Sequence, residues 1–356
     1  TSGQEPPVPN AAGPPVEIQA LMEQLDKLDR AADQLPPEKQ GPNTEARVEI
    51  LRKMVKLSAD TEMREAWVRQ LADVLSSATQ SGNYPQGLKQ LDEFIAQLTA
   101  SNPQDPLIPY VTFRKMWADY VLSQQVPEAD FAKIQEKWLA DLEAFAKQYP
   151  SSPDSAEAIL QLGMSHEFGG RLDPAKQWYQ KLATDFPNSP QASKAKGALR
   201  RLGSVGRPIP FKAQDIRRGQ IDVSARDFRG KVVLIQYWAT WYDRAKQDMD
   251  ALKELYAKYG GRGGLEIISV CLDRSPQDMQ RFLSQNNYPW RHVHEPDGFD
   301  GRLANEMGVM TLPLMVMIDA KGNVVDDNIF VAELEPELRK QLTTATAQGA
   351  GARNGR

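Results

Sequence analysis

Cysteine is almost absent from this chain: among 356 residues there is one, Cys271. No disulfide can close within the chain, and no pair of thiols is available for exchange chemistry inside one molecule. Histidine is nearly as scarce, at three residues, which leaves little material for a multi-histidine metal centre. Basic surplus is lacking too. The formal net charge is −4, which argues against a general nucleic-acid binder. No apolar run reaches the eighteen residues expected of a membrane-crossing helix.

What is present reads as two ordinary domains between irregular ends. Residues 1–16, with prolines at 6, 7, 9, 14 and 15, are expected to form a disordered leader. The chain opens without methionine, and the expectation is a processed start with an export signal or anchor upstream. Residues 347–356 are small and polar and are expected to be a flexible tail.

Residues 17–203 carry apolar side chains at three- and four-residue spacing, the mark of helices. Helices are predicted over 16–34, 43–58, 61–81, 85–100, 107–123, 128–148, 153–168, 173–185 and 190–202, with proline- and glycine-rich breakers between them. Tyr149-Pro150-Ser151-Ser152-Pro153 recurs as Phe186-Pro187-Asn188-Ser189-Pro190, a period of 37 residues that points to stacked helix pairs. Leu162-Gly163, Ala175, Tyr179, Leu182 and Pro187 resemble a tetratricopeptide repeat. Small residues would let two helices approach while Tyr179 and Leu182 fill the seam. The alternative is a plain helical bundle, since Trp138 breaks the pattern in the preceding unit. Trp117, Tyr120, Trp138 and Trp178 are read as core, and His166 as a packing residue.

From residue 204 to 346 strands and helices alternate, as in a sheet with helices on both faces. Residues 231–238 and 265–272 are near-continuous apolar runs, expected of strands buried on both sides. Residues 314–319 and 323–329 read as a closing hairpin. Residues 205–219 read as a proline- and glycine-punctuated lead-in, and helices are predicted over 244–259, 276–286, 301–307 and 335–346.

The residues in this half are similar to those of the TlpA/ResA-like, redoxin-related thiol–disulfide oxidoreductases. Gly206-Arg207-Pro208-Ile209-Pro210-Phe211 resembles the family's lead-in. Residues Asp227 to Ile235 resemble the approach to its central strand, and Trp238-Ala239-Thr240-Trp241 its tryptophan motif. Gly264 to Val270 resemble the following strand, Gly308 to Pro313 a loop whose proline is cis in the family, and Asp319 to Val325 the terminal hairpin. The resemblance implies a thioredoxin fold for 204–346 and an exported, periplasmic or cell-envelope location, a cytoplasmic one staying open.

In that family Trp241 would be followed by Cys-x-x-Cys at a helix N-terminus, where the helix dipole stabilises a thiolate. Here Tyr242 and Ala245 occupy the two positions. A phenol with an ordinary pKa of about 10 is no exchange nucleophile, and alanine offers no resolving atom. Asp243 is expected to cap the helix instead, and the family's acid and proline after the second cysteine fall on Asp248 and Asp250.

These substitutions lead to a non-catalytic protein-binding or scaffolding reading, with a protein or peptide held in a groove formed by Trp241, Tyr242, Asp243, Arg244, Leu312 and Pro313. No cofactor and no metal is expected. The rival is thiol–disulfide chemistry through the lone Cys271 with a partner's thiol, weighed against Cys271 as a small buried hydrophobe. His292 and His294, two apart on one strand face with Glu295 and Asp297 nearby, could contribute to a metal site, but two ligands are a weak signal. Glycines 260, 261, 263 and 264 lie between a helix and a strand, the reverse of a phosphate cradle, and read as a turn.

Overall fold

A computed structural model describes residues 16–32, 34–224, 228–261 and 264–353. The expected leader, apart from Val16, lies outside the described residues, as do Asp227, Arg262, Gly263 and residues 354–356. The chain forms two compact units, 1–155 and 156–356.

Among the described residues the elements of the first unit are helices: α1 (Val16–Ala32), α2 (Pro37–Leu57), α3 (Thr61–Gln80), α4 (Gly87–Ser101), α5 (Ile108–Gln124) and α6 (Phe131–Gln148). Two starts are set by aspartate caps. The Asp60 carboxylate accepts from the Met63 amide at 2.8 Å and Asp130 from Lys133 at 3.2 Å. Leu51, Met54, Val68, Leu71, Leu75, Leu91, Phe94 and Val111 close a shared core. The predicted start of α2 at residue 43 is corrected: the helix begins at Pro37 and carries Pro42 within it. Pro42 lies in the second turn, and the helix continues through it on the packing of its downstream residues against α1 and α3. On the α5–α6 seam Tyr120 stacks on Trp138 with centroids 4.6 Å apart.

α7 (Pro153–Phe168) begins at the division between the units. It leads into α8 (Leu172–Asp185) and α9 (Pro190–Leu202). Gly163 lies against the Tyr179 ring, so closely that a Cβ there would overlap it. Ala175, Tyr179 and Leu182 are fully buried. The change from helices to strands comes at 203/204, but compactness groups α8 and α9 with the sheet that follows.

Among the described residues that sheet has seven strands, in the order β2-β1-β5-β4-β3-β6-β7. They are β1 (Lys212–Asp215), β2 (Gly219–Asp222), β3 (Val232–Trp238), β4 (Leu265–Cys271), β5 (Arg291–His294), β6 (Leu314–Ile318) and β7 (Val324–Asp326). β3, β4 and β5 are parallel, and the remaining pairings are antiparallel. The helices between and after them are α10 (Ala245–Tyr259), α11 (Pro276–Asn286), α12 (Arg302–Met307) and α13 (Val331–Arg353). This is the thioredoxin-fold sheet the sequence leads one to expect. α13 starts before the predicted 335 and runs through the expected tail to Arg353.

Alternation along β3 divides the core in two. Val233, Ile235 and Tyr237 pack with α12 residues Leu303, Ala304 and Met307. Val232, Leu234 and Trp238 pack with Met249 and Leu252 of α10, Met279 and Leu283 of α11, and Leu334 and Leu338 of α13. A buried polar chain crosses the second face: Trp290 Nε1 donates to Ser269 Oγ, which donates to Gln236 Oε1, each at 2.8 Å. These three side chains thereby partner one another inside an otherwise apolar layer.

The lead-in, read without a strand, contains β1 and runs into β2, so that a β1–β2 hairpin starts within it. It was hidden because only alternate residues face inward: Ala213, Asp215 and Ile221 are buried while Lys212 and Gln214 are exposed.

Candidate functional site

β3 ends at Trp238, and the chain then turns over Ala239 and Thr240 to reach Trp241. The turn is held from β4's far side: Asp273 Oδ1 accepts the Thr240 amide at 2.9 Å, and the Trp238 carbonyl accepts the Leu272 amide at 2.8 Å. Tyr242 closes the next turn, its carbonyl accepting the Ala245 amide at 2.8 Å. The helix α10 then begins at Ala245, with Arg244 as its N-cap residue and no side-chain cap.

The expected Asp243 cap is thus corrected. Asp243 is exposed and precedes the cap position, and a backbone turn does the work in its place. The acid at this helix start is Asp248, 3% exposed, with Arg244 Nη2 3.6 Å from its Oδ1. Burial pushes the Asp248 carboxyl above the ordinary carboxylate range, and Arg244 opposes that. Burial also raises the Tyr242 phenol, and the charge of Asp248 adds to it, against Arg244. A phenol held in its neutral form is a hydrogen-bonding group, not a nucleophile.

The structure divides the expected groove residues. Leu312 and Pro313, joined by a cis peptide, line a cavity of about 130 Å³ with Met164, Phe168, Met310 and Phe330. Phe168 and Phe330 are exposed at its rim. Trp241 lines another cavity, of about 470 Å³, beside Asp273 and Phe299. Tyr242, Asp243 and Arg244 line neither. Trp241 is 58% exposed, and its ring centroid is 6.0 Å from that of Phe299.

Arg201 at the end of α9 had no functional or structural reading from sequence. It is 1% exposed and reaches three places. Its Nε donates to the Met307 carbonyl at 2.9 Å, Nη1 to the Asp327 carbonyl at 3.4 Å, and Nη2 pairs with Glu167 at 2.6 Å. Tyr179 donates to the same carboxylate at 2.8 Å. Gly197 of α9 and Gly308 let the two backbones meet; a Cβ at Gly197 would overlap the Asn305 carbonyl. α9 and the sheet side are joined here by the Arg201 bonds to the Met307 and Asp327 carbonyls and by close backbone approach, neither of which has a sequence motif.

Cys271 ends β4 with no solvent exposure, paired in register with Trp238 on β3 and His294 on β5. Burial pushes its thiol far up, and the nearby Asp273 charge adds to the effect. His292 and His294 each turn Nε2 to a backbone carbonyl, of Tyr288 at 3.1 Å and of Asp273 at 2.7 Å. Among the described residues no group of three or more His, Cys, Asp or Glu could hold a metal ion. No described helix is long and apolar enough to cross a membrane.

Residues 230–324 match a protein family described as thioredoxin-like. The thiol–disulfide oxidoreductase ResA of Bacillus thuringiensis subsp. konkukian is 29% identical over 126 residues, which cover 35% of this chain and 68% of that protein. ResA of Oceanobacillus iheyensis is 30% identical over 98 residues, 28% of this chain and 50% of its own. A solved thiol–disulfide oxidoreductase from Bacteroides fragilis is 20% identical, aligns with 37% of this chain and 96% of its own, and has a TM-score of 0.34. The chain carries a thioredoxin-like domain similar to ResA thiol–disulfide oxidoreductases.

Proposed function

We propose that this chain is a polypeptide-binding or scaffolding protein of the cell envelope, built on a thioredoxin-like domain that no longer exchanges disulfides. The observation that carries the reading is a contrast. The one thiol, Cys271, is sealed in a core strand, whereas Trp241, just ahead of α10, stands 58% exposed. Thiol exchange needs an accessible thiolate, and recognition needs exposed aromatic surface. The rim phenylalanines beside cis-Pro313 add apolar surface of the second kind. The helical residues before the sheet are a tetratricopeptide-like scaffold on this reading, offering a second surface. The net charge of −4 supports a protein or peptide partner over nucleic acid.

Two measurements test it. Dithiothreitol-driven reduction of insulin is expected to run at the same rate with the protein as with buffer. A clear acceleration that Cys271→Ser abolishes would establish thiol chemistry and end the proposal. Binding to an array of random peptides is expected for the wild type and to fall about tenfold in Trp241→Ala. Equal binding by the two proteins removes Trp241 from the site.

A further inference from the structure

A cavity of about 590 Å³ lies between α2 and α3, wholly within the first unit. Its two charged side chains are opposite in sign, and both are already answered. Arg47 pairs with Asp29. Asp73 pairs with Arg114 at 2.7 Å and accepts the Tyr110 hydroxyl at 2.8 Å. What the fold leaves open there is neutral. Thr44 is 6% exposed, and its Oγ1 makes no hydrogen bond among the described residues. Asn43 is 8% exposed; its Nδ2 donates to the Leu28 carbonyl at 3.2 Å, while its Oδ1 accepts no bond among the described residues. Neither oxygen is sealed in the core, so both can be reached from the cavity they line. Gln70, half-buried, and Ser77, exposed, line the same cavity, and their side chains also have no hydrogen-bond partner among the described residues. Their neighbours on α3 differ: the hydroxyls of Ser76 and Thr79 donate to the carbonyls of Arg114 and Leu75, at 2.9 and 2.7 Å. A buried polar atom without a protein partner costs free energy unless water or a ligand meets it.

We infer that this cavity binds a neutral saccharide. The open groups include an amide oxygen that only accepts, hydroxyls that donate and accept, and the Gln70 amide, which does both. Their match is a ligand without charge whose groups each donate and accept, as sugar hydroxyls do. An ion is disfavoured, because the one cation and the one anion in the lining hold each their own partner. Water fills such a cavity until a ligand reproducing its hydrogen bonds displaces it. A volume of about 590 Å³ falls in the range of small-ligand sites. The site shares no residue with the surface around Trp241, so it goes beyond the polypeptide-binding reading and does not rest on it.

The probe is a printed array of neutral oligosaccharides offered to the full chain, followed by calorimetric titration of the one best retained. Binding is expected for the wild type and to fall about tenfold in Thr44→Val and in Gln70→Met, each of which removes hydrogen-bonding groups at the cavity wall. Thr44→Val breaks no bond within the protein, so its unfolding midpoint is expected to stay level or rise. Gln70→Met, at a half-buried position, carries the test if Thr44→Val does not fold. Trp241→Ala is expected to bind the saccharide as the wild type does, whatever becomes of its peptide binding. No saccharide retained by the wild type, or full affinity in both cavity variants, overturns the inference. Loss of random-peptide binding in Thr44→Val would make the cavity a peptide site and overturn it as well.

Discussion

At the residue scale, burial decides which groups can react. Cys271 sits within a layer of apolar neighbours from β3, α10 and α11, so its thiolate is inaccessible as well as disfavoured. A neutral thiol reagent is expected to label the native chain on the order of a hundredfold more slowly than the urea-unfolded chain. Equal labelling rates would show that β4 opens freely and that the thiol is available after all. His292 offers a second test. Burial lowers its pKa from 6.5 to about 4, with Arg217 and Arg218 acting in the same direction and the Tyr288 carbonyl and Asp215 opposing. Between those values the unfolded chain binds the proton and the native chain does not, so stability falls as pH drops through 6.5 towards 4. The loss is about 3 kcal/mol at most. Urea midpoints at pH 7 and pH 4.5 check it, and His292→Gln is expected to flatten the dependence.

At the element scale, two close helix contacts differ in tolerance: Gly163 of α7 against Tyr179 of α8, and Gly197 of α9 against residue 305 of α12. At Gly163 an added methyl would meet a tyrosine side chain, which can shift. At Gly197 it would meet the backbone of residue 305, which must move with α12. Gly163→Ala is therefore expected to cost about 1–3 kcal/mol and Gly197→Ala more, read from urea midpoints. The reverse order would mean that α9 and α12 separate more easily than their packing indicates. Arg201→Ala would strand the Glu167 carboxylate beneath Tyr179 and is expected to cost about 3–5 kcal/mol. The double variant Arg201→Met with Glu167→Gln is expected to recover part of that, because it removes both charges together.

At the scale of the whole molecule, the units divide the chain at 155/156 and not where helices give way to strands. A fragment from Pro153 to the end is expected to unfold cooperatively in a thermal scan. A fragment from Ser204 lacks Arg201 and α9, uncovers α12, and is expected to melt well below it. Equal melting temperatures would place the thermodynamic boundary at the change of secondary structure instead.

Periodicity and short motifs were enough to read the helical half, the β-α alternation and the thioredoxin-like order of elements, because each of these signals is local. The helix after Trp241 was legible for the same reason. The polar β1–β2 hairpin, the helix α2 running through Pro42, and Asp248 in place of Asp243 at the helix start were not. The first two depend on neighbours far along the chain, and the third on the backbone turn that precedes the helix. The single cysteine settled from sequence alone that no disulfide forms within the chain. Whether Cys271 could react, and that a buried Asp273 would hold the Thr240 amide ahead of Trp241, only tertiary structure decided, since burial and hydrogen-bond partners belong to what surrounds a residue.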